Sequence, residues 1–225
     1  MHCKPYVSLK SLVHLILKAA KNSSEFKFFV DSFPCCSQLL ESLPLPNVKW
    51  ICPTAPSRPV TMLGRIPCNA CLDASAAHIA NLLSTEPSDV KLGIESFSMG
   101  AAIALYSATC FAHGKYGNGN PYPVTLRAVV DLSGWLPGAG NVRNRIAGSH
   151  EAARRAASLP ILICHGFCDE VVPHAQGEKS FNALSLAGFH NLVFKPYDGF
   201  CRLSHYTVPN EMDDVYNWLN TRLGF

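Results

Sequence analysis

Charge is scarce in this chain: Asp, Glu, Lys and Arg together make up 16% of 225 residues, and the formal net charge is only +3. Lys4, Lys10, Lys18, Lys21 and Lys27 are scattered, and no Arg/Lys cluster with interleaved aromatics follows them. Nucleic-acid binding needs such a footprint, so nucleic acid is set aside as a partner. No apolar run approaches the ~18–20 residues that cross a bilayer. The segment S-L-V-H-L-I-L-K-A-A is short, carries His14 and meets Lys18, which makes a poor signal-peptide core. The N-S-S sequon at Asn22 therefore has no expected use. A P-loop, a dinucleotide-binding glycine fingerprint, internal repeats and low-complexity tracts are all missing.

What is present is an ordinary apolar core. The hydrophobic fraction is 48%, enough at this length for one domain spanning residues 1–225. There are 10 cysteines, irregularly spaced, which reads as a set of reduced thiols rather than a disulfide framework. C-N-A-C (68–71) has metal-ligand spacing but no second pair; with only His78 nearby, no metal site is expected.

Residues 1–35 are atypical. K-F-F-V (27–30) and V-K-W-I-C-P (48–53) read as strands, C-S-Q-L-L-E-S-L (36–43) as a short helix, with proline-rich loops between. Asp73 is expected to cap a helix over 74–83. From residue 90 the pattern turns regular. Strands are expected over 90–94, 126–132, 159–166 and 191–195. Helices are expected over 99–108, 149–157 (capped by Ser149), 178–187 and 212–223. Apolar strands alternating with helices specify an α/β fold with a mostly parallel sheet flanked by helices.

Three polar residues fall just past strand ends, where parallel-sheet chemistry is placed. Ser98 lies in L-G-I-E-S-F-S-M-G-A-A, between a strand and a small-residue helix. A nucleophilic serine on such a turn exposes its oxygen while the helix N-terminus favours developing negative charge. Gly100, Ala101 and Ala102 are small enough for it. Upstream, Ser96 is tolerable and Glu95 awkward. Asp169 follows I-L-I-C-H-G, with Glu170 beside it as a rival acid, and His205 lies in R-L-S-H-Y-T before the last helix. The order Ser…Asp…His suits a nucleophile, an orienting acid and a general base.

With W-I-C-P-T-A-P-S-R-P-V-T, F-S-M-G, L-S-G-W-L-P, I-L-I-C-H-G and S-H-Y-T, the chain resembles the cytosolic acyl-protein thioesterase/lysophospholipase family of carboxylesterases, particularly plant members, over about residues 36–225. The resemblance implies an α/β-hydrolase fold and a cytoplasmic serine hydrolase with no cofactor and no metal. Its substrates would be S-acylated proteins, lysophospholipids or small esters, met through transient membrane-surface contact without a transmembrane segment. It assigns Ser98, Asp169 and His205 to the triad, the Met99 backbone N–H to the oxyanion hole, and Trp135 and Leu136 to the acyl-binding surface.

The chain departs from that family at several points. The H-G-x-G-D segment that supplies a second oxyanion donor is missing, so the fold is expected to be incomplete on its N-terminal side, with a sheet edge left open. A W-F-D stretch is missing between 67–70 and 72–75. Asp131 stands where the family has glycine, and R-L-S-H replaces G-L-G-H. These departures leave a second expectation: a catalytically impaired relative that binds acyl groups, lipid or protein, or a truncated gene product.

Overall fold

The structure is a computed structural model, and it describes residues 12–18, 26–29, 45, 48–51, 69–198 and 205–223. The sheet has seven strands: β1 (Leu12–Lys18), β2 (Phe26–Phe29), β3 (Lys49–Ile51), β4 (Lys91–Phe97), β5 (Leu126–Leu132), β6 (Ile161–Gly166) and β7 (Leu192–Tyr197). Among the described residues the helices are α1 (Asn69–Leu83), α2 (Met99–His113), α3 (Ala139–Ala147), α4 (His150–Ser158), α5 (His174–Leu186) and α6 (Pro209–Leu223). The strand order is β2-β3-β1-β4-β5-β6-β7.

From β4 to β7 every pairing is parallel, with a helix between successive strands. These strands are mostly apolar; β4 to β6 are largely buried, while β7 at the sheet edge is half-buried. In β5, Ala128, Val130 and Leu132 pack toward Met212, Val215, Trp218 and Leu219 of α6. Val129 between them joins the larger core formed with α1 to α5, where Leu105, Ile163 and Phe189 also lie.

The other half of the sheet differs from expectation. Leu12–Lys18 pairs antiparallel with β4 along seven residues, from Leu12 opposite Phe97 to Lys18 opposite Lys91. The edge of β4 expected to stand open is therefore covered. The same strand pairs antiparallel with β2 and β3, so the sheet is mixed on this side. A run such as L-V-H-L-I-L-K suits a strand because Val and Ile favour extended backbone.

Other boundaries moved for identifiable reasons. Helix α1 starts at Asn69, so Asp73 lies inside it and is not its cap. Its buried carboxylate instead accepts from Tyr106 Oη (2.5 Å), Gly117 N (2.8 Å) and Asn118 N (2.8 Å), tying α1 to α2 and the loop beyond. Ser149 does cap α4, accepting from Ala152 N at 3.3 Å. Helix α3 was not foreseen, because it buries only Val142 and Ile146 and is flanked by P-G and G-S. The helix expected over 36–43 lies outside the described residues.

Candidate active site

Strand β4 ends at Phe97, α2 starts at Met99, and the whole change of direction falls on Ser98. Its backbone sits at φ 58°, ψ −123°, a left-handed conformation that a non-glycine residue holds only at a cost of about 1–3 kcal/mol. Two hydrogen bonds hold it there: Ser98 N donates to Leu132 O (2.8 Å), and Ala102 N donates to Ser98 O (3.1 Å). Close packing is the second support. A β-carbon on Gly134 would lie 2.5 Å from Ala101 Cβ and closer still to Asp131 Oδ1, so only glycine lets the loop after β5 pass over the start of α2. Both Ala101 and Gly134 are buried.

Ser98 makes no side-chain cap to α2. The first N–H groups of a helix have no intrahelical acceptor. Met99 N–H is the first of these groups in α2, in the positive field of the helix N-terminus.

Asp169 is placed by the turn leaving β6. It is 6% exposed, and its Oδ1 accepts from Val171 N (2.9 Å) and Val172 N (2.8 Å). Its Oδ2 accepts from His205 Nδ1 at 2.7 Å. Burial alone would raise this carboxyl, but the His205 hydrogen bond and the two backbone donors outweigh it and hold Asp169 below the ordinary carboxylate range. Glu170, the rival acid, is exposed.

His205 Nε2 lies 2.7 Å from Ser98 Oγ, so one imidazole joins the other two side chains. With Nδ1–H donating to Asp169, the Nε2 of the neutral ring is the acceptor for the serine proton. Phe97 packs against the same ring, centroids 4.6 Å apart. The backbone behind His205 is secured where α6 begins. Pro209 is the first residue of that helix, and Glu211 Oε2 reaches back to accept from Val208 N at 3.2 Å, half of a capping box.

Trp135 and Leu136 follow Ser133 in the loop after β5. Leu136 packs within the larger core, its N–H donating to Ser180 Oγ at 2.8 Å, while Trp135 is half-buried.

Some features at the site were not read from the sequence. Burial pushes Asp131 up to about 8, against the Gly134 N–H and with the negative charge of Glu211 adding to the rise. Burial likewise pushes Glu211 up to about 7, the Val208 N–H opposing it and the charges of Glu95 and Asp169 adding to it. Glu95 is fully buried. Cys168, next to Asp169, is disulfide-bonded. The expectation of reduced thiols thus fails at Cys168, because pairing follows proximity in the fold and not spacing along the chain. Cys71, Cys110 and Cys164 form no disulfide.

Residues 84–223 match the family model described as phospholipase/carboxylesterase, a span that contains Ser98, Asp169 and His205. The crystal structure of Zea mays acyl-protein thioesterase 2 is 50% identical, covers 93% of this chain and 99% of its own, and superimposes with a TM-score of 0.80. Acyl-protein thioesterase 1 homolog 1 of Dictyostelium discoideum is 28% identical over 79% of this chain and 78% of its own length. Acyl-protein thioesterase 1 of Yarrowia lipolytica is 26% identical over 80% of each.

Proposed function

Because this chain belongs to the phospholipase/carboxylesterase family, we propose that it is a serine hydrolase whose nucleophile, base and acid are Ser98, His205 and Asp169. The observation that carries the reading is the double bridge through one ring, His205 lying 2.7 Å from Ser98 Oγ and 2.7 Å from Asp169 Oδ2.

In this reading Ser98 Oγ attacks the carbonyl carbon of an ester or thioester while His205 Nε2 takes its proton. The Asp169 carboxylate holds the ring in the required tautomer and stabilises the imidazolium. Met99 N–H donates to the carbonyl oxygen as it becomes an oxyanion. His205 then protonates the departing alkoxide or thiolate, and water enters along the same path in reverse to free Ser98.

The substrate class comes from the relatives, three of which are acyl-protein thioesterases by name. We accordingly assign S-acylated proteins as the principal substrates, with lysophospholipids and small carboxylic esters as secondary ones, and the cytoplasm as the place of action. Trp135 is the side chain of the β5 loop available to meet the acyl chain. Among the described residues no helix is long and apolar enough to cross a membrane, so contact with a lipid surface would be peripheral.

A second reading is a weakened relative that binds acyl groups without turnover. It is favoured by the lack of an H-G-x-G-D segment in the sequence. Losing one of two oxyanion donors slows acyl transfer by roughly 10²–10³-fold. Hydrolysis of an S-palmitoylated peptide and of an aryl ester, each measured with wild type and Ser98→Ala, separates the two. Turnover that disappears in Ser98→Ala supports the hydrolase; saturable binding without turnover in either protein supports the binder.

A further inference from the structure

His165 is the penultimate residue of β6, in the I-C-H-G run, and the mechanism above gives it no task. It is fully buried. Its Nε2 lies 2.8 Å from Val172 O. A carbonyl oxygen only accepts, so Nε2 carries the hydrogen, and Nδ1 of the neutral ring is left with a lone pair. That Nδ1 is buried without a hydrogen-bond partner, so it gains nothing from a second proton. Burial also lowers the His165 pKa, outweighing the Val172 carbonyl and the Asp169 charge, which pull the other way.

The ring is held tightly. Helix α5 passes over it at Gly177, where a β-carbon would lie 2.6 Å from Nδ1. The edge of the His174 ring packs beside it, centroids 5.8 Å apart. Asp169 Oδ2 is 3.7 Å from Nε2, too far for a hydrogen bond, so the imidazole N–H is committed to Val172 and not to the carboxylate.

Val172 is the residue whose own N–H donates to Asp169 Oδ1 at 2.8 Å. The Val172 peptide groups therefore face two ways, the carbonyl toward His165 and the N–H toward Asp169. Fixing the carbonyl fixes the turn, and fixing the turn sets the rotation of the carboxylate. With Oδ1 occupied by Val171 and Val172, Oδ2 is left facing His205.

We propose that His165 is a positioning residue for the Ser98–His205–Asp169 array: by donating from Nε2 to the Val172 carbonyl it closes the 169–172 turn and aims Asp169 Oδ2 at His205. It touches no reacting atom. The kinetic consequence rests on the hydrolase reading, but the geometric one does not.

The test follows the His205 ring by nitrogen-15 NMR in wild type, His165→Phe, His165→Asn and His165→Gln, together with thermal melts. Phe removes the donor. Asn sets its amide near the place of Nδ1, and Gln sets an amide N–H near the place of Nε2. In folded His165→Phe and His165→Asn the His205 Nδ1–H proton signal is expected to move upfield and to exchange faster with water, because a misdirected carboxylate accepts that hydrogen less well. His165→Gln is expected to restore it. If wild type labels with a fluorophosphonate, kcat/KM should fall in parallel, by up to roughly 10²-fold. Unlabelled wild type with the expected changes in the His205 Nδ1–H signal would contradict the hydrolase reading and leave the positioning role standing.

An unchanged His205 Nδ1–H signal in folded His165→Phe overturns the proposal, as does loss of activity that only tracks the unfolded fraction. Should the variants not fold, the wild-type spectrum still decides. A neutral Nε2–H tautomer for His165 at pH 7 agrees with the proposal, and an Nδ1–H tautomer or a charged ring contradicts it.

Discussion

Asp169 receives His205 on one carboxylate oxygen, at 2.7 Å, and two backbone N–H groups on the other. All the hydrogen bonds of this carboxylate thus serve one orientation. Asp169→Asn keeps the shape but turns a donor toward His205 Nδ1, which selects the wrong tautomer. The expected loss in kcat is on the order of 10⁴-fold with little change in KM, read from steady-state kinetics on an aryl ester.

Gly134 and Ala101 make the elbow possible by their size. Gly134→Ala would press a methyl group into Ala101 Cβ and Asp131 Oδ1, in a region with no slack. The expected destabilisation is about 1–3 kcal/mol, read from urea unfolding. Ser98 should also lose reactivity in the fraction that remains folded, since the loop that crowds α2 sits over its first turn.

The buried carboxyls make stability depend on pH. Asp131 is raised from 3.8 to about 8, so between those values the folded state binds a proton that the unfolded state has released. Stability therefore falls as pH rises from about 4 to about 8, by at most roughly 1.4 kcal/mol per unit from this group. Glu211, raised from 4.5 to about 7, adds to the same slope in its own narrower window. Asp169 works in the opposite sense. Its lowered value adds stability above the unfolded value, and this is lost as pH falls through the folded one. Asp131→Asn retains an acceptor for Gly134 N–H and removes the charge. Its melting temperature should exceed that of wild type by more at pH 8 than at pH 5, and an equal difference at both would contradict the assignment.

Glu211 holds the Val208 N–H at the start of α6, three residues past His205. Glu211→Ala should therefore destabilise by about 0.5–2 kcal/mol in chemical denaturation, with Glu211→Gln recovering most of it.

Much of this arrangement was legible in the sequence. Strands β4 to β7 show because their residues are mostly apolar and, in β4 to β6, largely buried. Ser98, Asp169 and His205 show because each follows or precedes such an element by a few residues, in a workable order. Leu12–Lys18 was not recognised as a strand, because its periodicity fits a short apolar segment of any kind and its pairing with β4 is non-local. Asp73 misled for a related reason: a cap and a buried acceptor of three donors look alike until the loop at Gly117 is brought against it. His165 was visible in I-C-H-G, yet nothing local distinguishes a ring that holds a carbonyl from one that merely fills space. The Cys168 disulfide is a tertiary relation, which spacing along the chain does not encode.

Covalent labelling with a fluorophosphonate, read by intact mass on folded protein, tests the central claim most directly. Wild type should gain one adduct, mapped by peptide sequencing to Ser98. Ser98→Ala should gain none, and Asp169→Asn should label far more slowly. Equal labelling of wild type and Ser98→Ala, or no labelling of a cooperatively melting wild type, would contradict the assignment of Ser98 as nucleophile.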